Sequence, residues 1–176
     1  MIKILDCTLR DGGYYNNWNF PKEIVNEYLD AMSKSGVNIV EIGFRSLNNK
    51  STKGALAFST DNYLSTINIP TNIKIAVMIN ASDFFSSSLS LKDQIDFLFP
   101  NNASVSKVKM VRIACHINEF IETLPISTLL EKKGFEIGYN IMQFSEINVK
   151  LIKNFCKEAN NYPIDILYFA DSLGSL

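Results

Sequence analysis

The sequence predicts an α/β protein built on a parallel sheet, and three observations predict it. Six short apolar runs recur along the 176 residues, at Ile2–Leu9, Asn38–Gly43, Ile73–Ile79, Val108–Ala114, Phe135–Ile141 and Ile164–Ala170. Each is rich in β-branched or aromatic residues, as expected of a strand buried on both faces. Most are separated by a segment with helical periodicity, and Gly36 and Gly134 stand where helices should turn back into strands. Alternation of this kind implies parallel pairing with right-handed crossovers. Such a sheet closes as a barrel or opens as a doubly wound sheet, and periodicity alone favours the barrel only narrowly.

Taken in order, the segment PKEIVNEYLDAMSKSG after the first run reads as helix. Pro21 suits a first helical position, Ile24, Tyr28, Leu29 and Met32 form one face, and Gly36 ends it. The stretches Asn48 to Phe58 and Ser82 to Ser90 read as loops. NEFIETLPISTLLEKKG, after the fourth run, reads as helix with Pro125 placing a break or kink inside it. After the fifth run, Ser145 is expected to cap a helix whose apolar face includes Ile147, Val149, Ile152 and Phe155. No low-complexity tail or internal boundary appears, so residues 1–176 read as one domain.

Composition narrows the class. The chain is 47% hydrophobic and 20% charged, ordinary for a globular domain of a length able to bury a substantial core. Its 17 basic and 18 acidic residues are mixed along the chain for a net charge of −1. No basic stripe offers a phosphate-backbone footprint, which argues against a nucleic acid partner. The longest apolar runs are too short to span a bilayer, so no membrane partner is expected. The start, MIKILDCTLRDGG, has no cationic lead or small-residue cleavage site and does not read as a signal peptide. Cys7, Cys115 and Cys156 are odd in number and in no metal-ligand spacing. With Cys7 and Cys115 inside apolar strand patterns, they predict reduced, buried thiols in a cytoplasmic protein.

In a parallel sheet of this kind, functional side chains lie just past the C-terminal ends of the strands. Those positions hold Arg10 and Asp11 after the first run, Glu41 and Arg45 at and after the second, and Asn80 after the third. His116, Gln143 and Asp171 follow the fourth, fifth and sixth. A carboxylate within an apolar strand must be paired or bound to metal. Two readings of the Arg10, Asp11 and Glu41 group stay open on chemistry alone: a structural Arg10–Glu41 ion pair locking the sheet mouth, or a catalytic constellation. Arg45, Lys50 and Lys53 either hold a substrate carboxylate or phosphate or simply form a solvated loop. His116, the sole histidine, is either a pocket residue or a structural one.

The stretch LDCTLRDGGYYNNWNF resembles the opening of the pyruvate-type aldolases, in the superfamily that also holds hydroxymethylglutaryl-CoA lyase, isopropylmalate synthase and homocitrate synthase. Its hallmark is an Arg-Asp pair after the first strand and a Glu on the second, matched by Arg10, Asp11 and Glu41. EIGFRS, VRIACH, GYNIMQ and YFADSLGS resemble successive strand ends of 4-hydroxy-2-oxovalerate aldolase-like proteins, in order along the whole chain. The resemblance implies a (β/α)8 TIM barrel, truncated here after the sixth strand. It implies a metal-dependent carbon–carbon lyase acting on a 2-oxo acid such as pyruvate through an enolate. Asp11 is then a ligand of Mn2+ or Mg2+, Arg10 steadies the enolate oxygen, and Glu41 orients Arg10. Arg45, His116, Tyr14, Gln143 and Asp171 are the further substrate-binding candidates.

Two departures from the family pattern shape these expectations. Studied aldolases of this type carry a histidine shortly after the Arg-Asp pair, where this chain has Gly12, Gly13, Tyr14 and Tyr15. Tyrosine, titrating near pH 10 (roughly) in model peptides, is a poor base at neutral pH. The family's His-x-His pair on the seventh strand is also absent from these residues. With a typical barrel needing about 250 residues, the chain is expected to hold half a metal site and to be inactive alone. Its open sheet edges predict self-association, and the family resemblance adds an aldehyde dehydrogenase as a possible partner of the full-length enzyme. The alternatives are a Claisen-type acyl-CoA condensing synthase of the same superfamily, or a non-catalytic truncated barrel acting as an assembly or binding module.

Overall fold

The computed structural model describes residues 2–47, 52–85, 88–143 and 148–170. Its first strand, β1, is only Leu5–Asp6, and the chain then enters helix α1, Thr8–Asn16. This shortens the expected first strand and moves Leu9, Arg10 and Asp11 onto a helix. The cause is Asp6, whose carboxylate accepts hydrogen bonds from the Thr8 amide at 2.8 Å and the Thr8 hydroxyl at 3.1 Å. A short acceptor side chain at this point satisfies a donor that a helix start leaves open. The Tyr28 hydroxyl also donates to Asp6. Burial, then that bond and the Asp6 charge, push the phenol's pKa above its ordinary value.

The remaining elements alternate as expected. Helix α2 is Lys22–Lys34 and strand β2 is Ile39–Phe44; Pro21 is the residue before α2 rather than its first. A single 3-10 turn at Ala55–Ala57 and helix α3, Asp61–Leu64, lead to strand β3, Lys74–Asn80. The serine-rich stretch contains helix α4, Ser82–Phe85, and ends in a cap. Ser90 accepts from the Asp93 amide at 3.2 Å and opens helix α5, Leu91–Leu98. Strand β4 is Val108–Cys115, followed by helix α6, Phe120–Lys132, and strand β5, Glu136–Ile141. Helix α7, Val149–Ala159, is capped by Asn148, which accepts from the Leu151 amide at 2.9 Å; Ser145 and Ile147 lie outside the described residues. Strand β6 is Ile166–Phe169. Gly36 and Gly134 both sit at φ +80°, the left-handed helix exits that glycine adopts without strain.

Strand order in the single six-stranded sheet follows chain order from β1 to β6, with parallel pairing of β1 with β2, β2 with β3, and β5 with β6. That is the sequential βα order of a TIM barrel, six of whose eight strands lie in this chain. Between β2 and β3, Glu41 faces Ala76 and Gly43 faces Val77, so Ile42 is one residue extra and β2 is bulged there.

The chain falls into two compact units. The first comprises residues 1–78 with 105–110, and its core includes Val25, Leu29, Val40, Ile42, Leu56 and Leu64, all fully buried. The second comprises residues 79–104 and 111–176. There Phe120 meets Tyr139 and Phe155 edge to face, at 5.3 and 5.4 Å between ring centres, and the Tyr139 hydroxyl donates to the Thr123 carbonyl at 2.6 Å. Helix α6 runs unbroken through Pro125. Burial of Phe120, Leu124, Ile126 and Leu130 on either side of the proline outweighs a helix-interior cost of about 3 kcal/mol.

Cysteine placement differs from expectation in two cases. Cys115 is buried at the end of β4, but Cys7, at the start of α1, and Cys156, on α7, are half-buried. Among the described residues, no helix is long and apolar enough to cross a membrane.

Candidate functional site

Helix α1 carries Arg10 across the C-terminal half of β2. The Arg10 Nε donates to Glu41 Oε1 at 2.7 Å, and one Nη donates to Asp11 Oδ1 at 2.8 Å. Glu41 is wholly buried and the Arg10 side chain is 14% exposed, whereas the Asp11 side chain is 67% exposed. A buried carboxylate of this kind is stable only when paired, and the pair expected from the sequence is present. Burial depresses the Arg10 pKa, but the charge and hydrogen bond of Glu41 outweigh it and hold the guanidinium above its ordinary value. Arg10 is therefore a fixed cation, braced on its inner side by Glu41. Its Cζ also lies 5.9 Å from the centre of the Phe44 ring. The second Nη makes no hydrogen bond among the described residues, leaving donors for an oxygen brought to this surface.

Trp18 braces the same helix from below. Its indole N–H donates to the Arg10 carbonyl at 2.8 Å, and its ring is pressed against Gly13. To reach that place the chain adopts left-handed backbone at Asn17 (φ 57°) and Trp18 (φ 58°) in succession. Left-handed backbone costs roughly 1–2 kcal/mol for a residue like tryptophan, offset here by burial of the indole. Tyr14 meets the Trp18 ring at 4.8 Å and the Phe44 ring at 6.3 Å, edge on in both cases.

The other sequence candidates fall elsewhere. Arg45 is turned inward: it is 3% exposed, pairs with Asp61 at 2.9 Å, and donates to the Ser59 carbonyl at 3.2 Å. Burial lowers its pKa, and the Asp61 charge and hydrogen bond work against that effect. Asp61 also accepts from the Ser106 hydroxyl. The expected basic cluster does not form among the described residues. Lys53 lies over the Trp18 ring at 4.8 Å, and Lys50 is outside the described residues. Asn80 is the last, half-buried residue of β3. Asp171 lies outside the described residues.

In the second unit, His116 and Gln143 line an open cavity of about 450 Å³ with Glu119, Met142, Asn148 and Leu151. The His116 amide donates to Glu119 Oε2 at 2.7 Å, and the Met142 amide bonds to the Cys115 carbonyl at 3.1 Å, joining the ends of β4 and β5. Gln143 sits at φ 56°, a conformation uncommon for a residue other than glycine, asparagine or aspartate. Burial, then the Glu119 charge, push the Cys115 thiol up to about 12.

One charged residue escaped the sequence reading. Arg112, within β4, is buried, donates to Asn140 Oδ1 at 2.9 Å, and stacks on the Tyr168 ring at 4.3 Å. The signal was available: an arginine inside the apolar run VKMVRIAC is as conspicuous as Glu41 inside IVEIGF.

The described residues do not by themselves make a divalent-cation site. No group of three or more His, Cys, Asp and Glu side chains among them is placed to hold a metal. Asp11 offers one exposed carboxylate, already bonded to Arg10.

No family model matches the chain. It is 24% identical over 99% of its length to 4-hydroxy-2-oxovalerate aldolase from Pelotomaculum thermopropionicum, of which it covers 49%. It is 22% identical over 98% of its length to a candidate 2-isopropylmalate synthase from Archaeoglobus fulgidus, covering 33% of that chain. Its fold is similar to the crystal structure of the N-terminal domain of a candidate aldolase from Bacteroides vulgatus, with TM-score 0.74 and 28% identity, covering 98% of this chain and 65% of that one. The chain spans about half the length of the aldolases it matches. Sequential parallel topology, end-to-end similarity and this neighbour together give the chain the fold of part of a TIM barrel, similar along its whole length to about half of a 4-hydroxy-2-oxovalerate aldolase.

Proposed function

We propose that the chain contributes to a carbon–carbon lyase acting on a 2-oxo acid such as pyruvate, with Arg10 as the group that stabilises the enolate. The observation that carries this reading is the Arg10 guanidinium itself, held by the buried Glu41 and left with donors that make no hydrogen bond among the described residues. When the bond next to a 2-oxo group breaks, the electron pair moves onto the carbonyl oxygen, which becomes negative. A preorganised cation facing that oxygen lowers the barrier, because it need not reorient as the charge develops. Glu41 is a positioning residue, acting through Arg10. Similarity to 4-hydroxy-2-oxovalerate aldolases supports the carbon–carbon lyase class.

Asp11 can supply one oxygen to Mn2+ or Mg2+, and the further ligands such an ion requires are not among the described residues. A condensing reaction of the synthase type would use the same Arg10 chemistry in reverse, and the synthase relative supports it as the second reading.

The test is deuterium exchange into the pyruvate methyl group, followed by NMR, on the complete polypeptide with Mn2+ or Mg2+ supplied. Arg10→Ala should slow exchange by about 10²–10³, the usual loss on removing one oxyanion donor. Exchange at the unsubstituted rate in Arg10→Ala would sink the assignment.

A further inference from the structure

Tyr14 is 62% exposed, yet its ring is held in place. Its neighbour Tyr15 is 96% exposed and touches no other ring among the described residues. The difference follows from helical phase. Tyr14 follows Arg10 by four positions on α1, which sets their side chains on one face of the helix. Both converge on Phe44, Arg10 from 5.9 Å and Tyr14 from 6.3 Å, and Trp18 supports Tyr14 edge on at 4.8 Å. Gly13 makes room for this support, since a β-carbon there would fall 2.0 Å from Trp18 Cδ1. A rigid aromatic surface has thus been built beside a cation with open donors. That pairing fits a ligand with an oxyanion at one end and a flat or apolar body at the other.

We propose that Tyr14 determines specificity, its ring packing against the substituent of a 2-oxo acid bound at Arg10 and favouring aromatic or extended apolar substituents over the methyl group of pyruvate. This rests on the Arg10 reading above. An exposed aromatic contact of this kind contributes about three- to ten-fold in affinity.

Trp18, the single tryptophan of these 176 residues, touches both residues, and its fluorescence reports binding. The experiment titrates the complete polypeptide with pyruvate and with phenylpyruvate (the latter corrected for its absorbance) in wild type, Tyr14→Ala, Tyr14→Phe, Tyr15→Ala and Arg10→Ala. Tyr14→Ala should cut the preference for phenylpyruvate over pyruvate by about three- to ten-fold. Tyr14→Phe, which keeps the ring, should restore the preference, and Tyr15→Ala should not alter it. Arg10→Ala should weaken both acids. A preference unchanged in Tyr14→Ala, with both acids weakened by Arg10→Ala, overturns the Tyr14 proposal and leaves the Arg10 reading standing. Loss of the preference in Tyr14→Phe as well would assign the effect to the hydroxyl and overturn it too. Absence of binding by either acid to wild type overturns both.

Discussion

Gly13 and Trp18 fit together only because one of them has no side chain: a β-carbon on Gly13 would lie 2.0 Å from Trp18 Cδ1 and 2.2 Å from its Nε1. The indole occupying that gap is the one that donates to the Arg10 carbonyl. Gly13→Ala should therefore displace Trp18, at a cost of about 1–3 kcal/mol typical of overpacking. Urea denaturation measures the loss, and a red shift of Trp18 emission reports the displacement. An alanine variant with native emission and native stability would mean that the helix moves freely against the tryptophan.

Removing Glu41 strands a charge. Arg10 is only 14% exposed and has no other buried carboxylate partner among its hydrogen bonds. Glu41→Ala should lower stability by about 3 kcal/mol, within the range for breaking a buried pair. Replacing both residues by apolar side chains of similar size should recover much of that loss. A double-mutant cycle read by chemical denaturation checks it, and additive losses would show that the pair is not coupled.

The thiols should differ in reactivity. Burial and the Glu119 charge hold Cys115 protonated up to about 12, against 9.0 for a free thiol, while Cys7 and Cys156 are half-buried. At pH 8, Ellman's reagent should label Cys115 only after unfolding. The linkage has a definite sign. Between 9.0 and about 12 the unfolded chain loses this proton before the folded one does, so stability falls as pH rises through that window. Cys115→Ser should flatten that part of the pH–stability curve, and an unchanged slope would refute the assignment.

Manganese binding tests the donor set directly. With Asp11 as one exposed ligand and no three-residue donor group among the described residues, calorimetric titration of the 176-residue chain with Mn2+ should show no micromolar site. Asp11→Asn should then titrate identically. Micromolar binding abolished by Asp11→Asn would instead mean that other residues of this chain complete the site.

What the sequence disclosed depended on how local the signal was. Glu41 within IVEIGF announced a buried charge needing a partner, and Arg10 was the nearest cation past the preceding strand. Gly36 and Gly134 marked helix exits because few other residues adopt their backbone. Helix α1 was not legible. Its run of Gly12 and Gly13 opposes helix formation, and the apolar residues Ile2, Ile4 and Leu5 read as a longer strand, although Ile2 and Ile4 are exposed. What establishes the helix start is the Asp6 carboxylate on the Thr8 amide, with Trp18 added from beyond its end. The inward turn of Arg45 was equally hidden, because its partner Asp61 lies 16 residues on, with no periodic relation to it.

The bulge in β2 has a consequence for Arg10. Side chains along a regular strand alternate, so two positions three apart point to opposite faces. Glu41 and Phe44 are three apart, yet both meet the same guanidinium, one by a 2.7 Å bond and the other from 5.9 Å. The supernumerary Ile42 shifts the parity of the strand between them. It brings an ionic support and an aromatic one into phase on one side chain. Straightening the strand with Ile42 kept in the ladder would put Glu41 and Phe44 on opposite faces and leave Arg10 with one of its two supports facing the wrong way.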